Sequence, residues 1–99
     1  MAGPTLLQVR VSGVSALRGI IGKDMLVTLR SGSTIDDLIN KLEEECGPAY
    51  REMIGEALGD SIRKRFNMLL NGVVTNPAQN LDKSLNDGDE IMFFQLAGG

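Results

Sequence analysis

The sequence predicts an α+β fold: a mixed sheet of four to five strands, a main helix packed across one face, and a second short helix. Three features carry that prediction. Period-two apolar alternation opens the chain and a short continuous apolar run closes it, a run of helical periodicity lies between them, and Asn71-Gly72 separates two short apolar runs. Strands returning to one sheet beneath a helix form a two-layer α+β unit. With 99 residues and no linker, repeat or low-complexity segment, the chain is expected to form one domain over 1–95 and a flexible tail over 96–99.

Each element has its own signal. Leu7, Val9 and Val11 alternate with Gln8, Arg10 and Ser12, as in a half-buried strand. The segment holding Gly13, Gly19 and Gly22 is too polar and interrupted to specify an element. Met25, Val27 and Leu29 alternate again and form a strand that pairs back on the first. Ser31-Gly32-Ser33 turns the chain into the main helix, with Thr34 or Ser33 as N-cap and Asp36 and Asp37 in the first turn, where the helix dipole favours negative charge. Ile35, Leu38, Ile39, Leu42 and Cys46 recur every three or four residues as an apolar stripe, and Gly47-Pro48 is expected to end it. Glu43, Glu44 and Glu45 sit near that end and are read as solvent-facing. A weaker amphipathic stretch, Pro48 to Leu58, follows, with Tyr50, Met53, Ile54, Ala57 and Leu58 on one face.

Phe66 to Leu70 reads as a third strand. Asn71-Gly72 suits a type I′ turn into the short return strand Val73-Val74-Thr75, because both turn residues need positive φ. Asn76-Pro77-Ala78 breaks the pattern, and Leu81 and Leu85 are isolated apolar anchors. After the turn Asp87-Gly88-Asp89 the last strand starts at Glu90 or Ile91. The strongly apolar run Ile91 to Phe94 fits a central strand lying beside the first. With the helix on one side only, either Ile91 and Phe93 or Met92 and Phe94 stay partly exposed. Met92, Phe93 and Phe94 are therefore the candidate partner-binding residues.

Composition narrows the function. Hydrophobic residues at 42% and charged residues at 23% are ordinary for a globular protein, and aromatics at 4% leave the core to Leu, Ile, Val and Met. A net charge of −3 argues against nucleic acid or an anionic membrane as the main partner. No apolar run approaches the ~20 residues of a membrane span. The start Met1-Ala2-Gly3-Pro4 lacks a secretory pattern, so a cytoplasmic location is expected. With no histidine and a single cysteine, Cys46, the chain can build no Cys/His zinc site, Ser-His-Asp triad or Cys-His dyad. Neither a metal site nor a catalytic residue in cis is expected. Cys46, on the apolar stripe, is read as a small buried hydrophobe, and Arg63-Lys64-Arg65 as a solvated surface run.

The remaining chemistry lies at Gly98-Gly99. Two glycines after a strand-like run carry the α-carboxylate on a thin arm, and without Cβ atoms that arm fits a channel closed to other residues.

The stretch Asp87-Gly88-Asp89-Glu90-Ile91, continuing through Phe93-Phe94 to Gly98-Gly99, resembles the C-terminus of the bacterial sulfur carriers with a ubiquitin-like β-grasp fold (MoaD/ThiS-like). Leu70-Asn71-Gly72 before a short valine strand is similar to the same group. Leu17-Arg18, Gly22 and the helix starting at Thr34 match most closely its molybdopterin synthase small subunits. Members of that group often carry prolines near the end, where this chain has Gln95-Leu96-Ala97, and the segment from Gly47 to Lys64 exceeds the shortest carriers, those of thiamine synthesis.

The resemblance implies a sulfur carrier rather than an enzyme. A ubiquitin-activating-type adenylating enzyme would use ATP to convert the Gly99 carboxylate into an acyl-adenylate, and a persulfide donor would then turn it into a thiocarboxylate. Leu96, Ala97, Gly98 and Gly99 would enter the partner's channel, and a synthase large subunit would accept the sulfur, most closely in molybdopterin biosynthesis. No cofactor bound by the chain itself is implied. Carriers for thiamine or cysteine biosynthesis, and ubiquitin-like modifiers conjugated through Gly99, share the same features.

Overall fold

The computed structural model describes residues 6–13, 16–22 and 24–95. Five strands are present among them: β1 (Leu6–Gly13), β2 (Met25–Arg30), β3 (Phe66–Leu70), β4 (Val73–Thr75) and β5 (Glu90–Gln95). The helices are α1 (Ala16–Ile21), α2 (Ile35–Ile54) and α3 (Leu58–Arg65), with one 3₁₀ turn at Pro77–Gln79. The sheet order is β2-β1-β5-β3-β4. β5 runs parallel to β1, with Val11 opposite Ile91, and antiparallel to β3, with Met68 opposite Phe93. The first and last strands are thus neighbours inside a mixed sheet, as their apolar character predicts.

Alternation decides which side is core. Leu7, Val9 and Val11 of β1, Val27 and Leu29 of β2, Phe66, Met68 and Leu70 of β3, and Ile91 and Phe93 of β5 all turn to the helical side and are buried. Ile35, Leu38, Ile39 and Leu42 of α2 meet them, fully enclosed. Thr34 and Asp37 form a reciprocal cap at the start of α2: Asp37 N–H donates to Thr34 Oγ1 at 3.3 Å and Thr34 N–H to Asp37 Oδ2 at 2.9 Å. The next free amides, of Ile35 and Asp36, donate to the carbonyls of Lys83 and Leu81, each at 3.0 Å. This binds the 80–86 loop to the helix and seats Leu85 in the core.

Three stretches differ from the sequence reading. The glycine-interrupted segment holds α1, which buries Leu17 and Ile21 and ends at Gly22 in the left-handed region. Gly47-Pro48 does not end α2, which continues to Ile54 and stops at Gly55 (φ 88°). The stretch expected to be a separate weak helix from Pro48 is therefore mostly the last turns of α2. Pro48 deprives the Glu44 carbonyl of its donor, but both residues are exposed, so water can serve instead. The stripe meanwhile extends from Cys46 to Tyr50, and burying a large side chain there contributes about 1.5–3 kcal/mol, against roughly 3 kcal/mol for an interior proline.

The second helix is instead α3, and its attachment explains the third difference. Ala57 at its N-cap has no capping side chain. Glu43, expected to face solvent, reaches over from α2 and accepts from Gly59 N–H at 2.7 Å. Gly47 makes room for it, since a Cβ at 47 would collide with the Glu43 carboxylate. At the far end Arg63 donates to Asp36 Oδ1 at 2.7 Å and Asn40 Oδ1 at 3.0 Å, so it is a clamp rather than a solvated residue. Lys64 and Arg65 are exposed, as expected, although Arg65 pairs with Glu56. The Ser61 hydroxyl and the Arg65 guanidinium hold Glu56 below the usual carboxylate range.

Replacing Glu43 by Ala should lower stability by about 1 kcal/mol through loss of the α3 cap. Glu44→Ala, on an exposed site beside it, should stay within about 0.5 kcal/mol. Denaturant midpoints at unchanged slope measure both, and equal midpoints for the two variants would contradict the cap.

Candidate functional site

β5 is the element that leads to the chain's last residues, and its start is fixed from both sides. Asp89, 7% exposed, accepts from Asn71 Nδ2 at 2.9 Å through Oδ1 and from Asn86 N–H at 2.8 Å through Oδ2. Asn71 also accepts from Glu90 N–H at 2.9 Å and donates its own N–H to the Glu90 carbonyl at 2.8 Å. On the β1 side, Gln8 N–H donates to Asp87 Oδ1 at 2.7 Å, Gly88 N–H to the Gln8 carbonyl at 2.8 Å, and Arg10 N–H to the Asp89 carbonyl at 2.9 Å. The β3–β4 turn therefore does more than reverse the chain. Asn71 (φ 51°) and Gly72 (φ 84°) have the paired positive φ of a type I′ turn, and that shape aims the Asn71 amide at Asp89 and Glu90.

Along β5 the two faces diverge. Ile91 and Phe93 enter the core, at 2% and 0% exposure. Phe93 thus leaves the set of surface candidates: its parity in the strand places it beneath the helices. Met92 and Phe94 turn to the open side and are half-buried. Cross-strand register sets Ser12, Met92, Leu69 and Val74 in one row, with Phe94 beside it opposite Asn67. Leu69, Val74, Met92 and Phe94 make an apolar patch on the face no helix covers, and Val74 at 67% is its most exposed member. Sequence reasoning missed Leu69 and Val74. Their signal was adjacency: in Met68-Leu69-Leu70 and Val73-Val74 neighbouring apolar residues must lie on opposite faces of a strand.

Leu96, Ala97, Gly98 and Gly99, the candidate tail residues, lie outside the described residues, as does the proposed boundary of the tail. Cys46 is buried beside Met25, with Sγ and Sδ 3.9 Å apart, and burial, aided by the Glu45 charge, pushes its thiol pKa up. That environment disfavours the thiolate a nucleophile needs. Among the described residues no three metal-ligating side chains converge, no buried polar side-chain atom lacks a partner, and no helix is long and apolar enough to cross a membrane. What the site offers is an anchored strand and an apolar surface.

Comparison with known proteins agrees with this geometry. The model of the ThiS family matches residues 14–99. No curated protein matches the chain. Among solved structures, the Haloferax volcanii HVO 2177 protein superposes with a TM-score of 0.67 at 23% identity, covering 95% of this chain and 88% of that one. SAMP1 from Haloferax volcanii gives 0.67 at 21% identity, covering 93% and 98%. A putative molybdopterin converting factor, subunit 1, from Pyrococcus furiosus gives 0.65 at 21% identity, covering 90% and 97%. Ubiquitin-like folds align as well, and the architecture is the ubiquitin-like β-grasp.

Asn71→Ala should cost about 2–3 kcal/mol, because it strands the Asp89 carboxylate and the Glu90 amide and strains the positive φ. Asn71→Gly keeps the φ and should cost about 1 kcal/mol less than Ala. Equal losses in chemical denaturation would remove the conformational part of that account.

Proposed function

The chain belongs to the ThiS family of ubiquitin-like carriers and modifiers, and from that premise we propose that it carries sulfur as a thiocarboxylate on Gly99. The observation that supports this most is the anchoring of β5. Its start is tied to β1 and to the β3–β4 turn, its middle is buried, and it ends at Gln95, four residues before Gly99. A strand held this firmly defines where the following residues start, so docking the body positions the last carboxyl group as an effectively intramolecular reactant.

The steps follow from carboxylate chemistry. A carboxylate resists attack because its charge is delocalised and oxide is a poor leaving group. An activating partner uses ATP: the Gly99 carboxylate attacks the α-phosphorus and pyrophosphate leaves, giving an acyl-adenylate. A persulfide sulfur then attacks the carbonyl and displaces AMP. A second thiol cleaves the resulting acyl disulfide and frees the thiocarboxylate. The carrier supplies no acid or base. Leu96 and Ala97 lead into the partner's channel, and Gly98 and Gly99 present no Cβ to its walls.

The likeness to a putative molybdopterin converting factor subunit favours molybdopterin synthesis as the acceptor pathway, with a synthase large subunit taking the sulfur. Thiamine and cysteine biosynthesis use carriers of the same design. A modifier forming an isopeptide bond through Gly99 is the second reading, favoured by the likeness to small archaeal modifier proteins. Met92 and Phe94, with Leu69 and Val74, form the docking surface in either case.

Intact mass from cells separates the readings. A carrier gains the difference between one sulfur and one oxygen, whereas a modifier appears as heavier conjugates that require Gly99. Adding one residue after Gly99, or Gly98→Trp, should abolish loading while the fold persists, and loading that survives both changes would end the proposal. Phe94→Ala should weaken the complex with the activating enzyme by about tenfold or more while changing stability by no more than about 1 kcal/mol. Titration calorimetry and thermal unfolding measure the two effects, and unaltered affinity would exclude the patch.

A further inference from the structure

We infer that the free edge of β2 pairs with the same edge of a second copy of this chain, about a two-fold axis at Val27. The inference is independent of the sulfur-carrier reading. β2 is an edge strand of the sheet, and β1 is its one substantial neighbour among the described residues.

The direction of its backbone groups follows from register. Arg10 N–H donates to the Asp89 carbonyl of β5, so the even-numbered residues of β1 bond toward β5 and the odd-numbered ones toward β2. Leu7, Val9 and Val11 are therefore the hydrogen-bonded partners of Leu29, Val27 and Met25. Leu26 and Thr28 must point both N–H and C=O outward, and Arg30 its N–H, while the Arg30 carbonyl accepts from Ser33 N–H at 3.0 Å. Edge strands of this length are usually blunted by lysine, proline or a bulge. Met25-Leu26-Val27-Thr28-Leu29 has none of these, and Leu26 is 60% exposed. The other edge, β4, is only three residues long and presents a single outward residue, Val74.

The side chains select both the occupant and the register. Asp24, immediately before β2, is exposed and lies on the open face with Arg10 and Ser12. Arg30, at the other end, is exposed, and neither residue takes part in an ion pair among the described residues. Two copies of β2 running antiparallel, with Val27 opposite Val27, set Leu26 against Thr28 and Asp24 against Arg30 at both ends. All of those outward groups then meet as hydrogen-bonded pairs, and Leu26 of each copy lies diagonal to the other, within side-chain reach. Such an interface is self-complementary, as two-fold symmetry demands. Shifting the register by two residues keeps the hydrogen bonds but in either direction leaves Asp24 without a cation: one shift places Arg30 opposite Leu26, the other places Asp24 opposite Thr28 and carries Arg30 past the end of its partner strand. The patch around Met92 and Phe94 lies over β5, β3 and β4; of the proposed interface only Asp24 borders it, lining one surface pocket with Met92 and Leu69, while Leu26 and Thr28 line none of it.

Sedimentation equilibrium of the full chain up to about 1 mM, a range that reads weak self-association, tests the inference. A concentration-dependent dimer is expected, with the Leu26, Thr28 and Arg30 amides gaining protection from hydrogen exchange. Asp24→Arg and Arg30→Asp should each weaken it by about tenfold, by setting like charges opposite at both ends, and the double variant D24R/R30D should restore it to within about threefold. Thr28→Pro, which removes an outward N–H that makes no bond in the single chain, should abolish the dimer with the circular dichroism spectrum retained. A monomer throughout that range would overturn the inference. So would a dimer indifferent to both charge reversals, or one that survives Thr28→Pro and is lost with Phe94→Ala.

Discussion

Asp89 sits where three segments of chain must agree. Its carboxylate takes the Asn71 amide from the β3–β4 turn and the Asn86 backbone from the preceding loop, while its carbonyl takes Arg10 from β1. A buried carboxylate is costly unless its oxygens are bonded, and here both are. The lock settles a problem peculiar to this topology. β5 is the last strand to be reached along the chain, yet it lies between β1 and β3 and must match a parallel neighbour and an antiparallel one together. A slip of one residue would carry Phe93 to the open face and Phe94 into the core. Because Asn71 and Gln8 grip the turn before β5 begins, the register is set at its first residue rather than by side-chain packing alone.

The helical layer is fastened by a different logic. Leu58 and Ile62 of α3 are fully buried in the core that the α2 stripe enters, and charged side chains tie the two helices at both ends. Glu43 supplies the cap that Ala57 lacks, and Arg63 returns the favour at the start of α2 by bonding Asp36 and Asn40. Gly47 permits the first of these contacts by leaving space for a carboxylate. The proline beside it costs one hydrogen bond on the exposed side. Gly47 therefore reads as a helix breaker locally while serving the helix pair globally, whereas Pro48 is only tolerated.

Most of the architecture was legible because period and burial agree. The alternation in β1 and β2, the apolar run of β5, the stripe of α2 and the Asn-Gly turn each led to an element in the expected place, and from them the order of the central strands. The end of α2 was not legible, since Gly47-Pro48 is a strong local stop and the force that overrides it, the burial of Tyr50 beyond it, is tertiary. The role of Glu43 was hidden for the same reason: its partner Gly59 lies sixteen residues away and contributes only a backbone amide. On β5 strand geometry implied two faces, but the run is apolar throughout, and choosing between them required knowing where the helices pack. Phe93 was therefore grouped with its neighbours although it belongs to the core. Leu69 and Val74 come into view only through the register that sets them beside Met92.

On the proposed carrier reading the folded body acts through placement, and placement needs a stiff frame with surfaces that stay distinct. The sheet provides both. Its helical face is spent on the core, and the open face divides by strand: apolar side chains over β5, β3 and β4, and charged or polar ones over most of β1 and β2. Arg10 facing Glu90 across the β1–β5 pair marks the polar border of the apolar patch. A partner that covers Met92 and Phe94 need not touch Leu26 or Thr28, because two strand spacings, roughly 10 Å, separate β5 from β2. Binding at one half and pairing at the other are thus geometrically compatible. The same central strand pair that fixes β5 also holds β2 at the outside, where its backbone remains available.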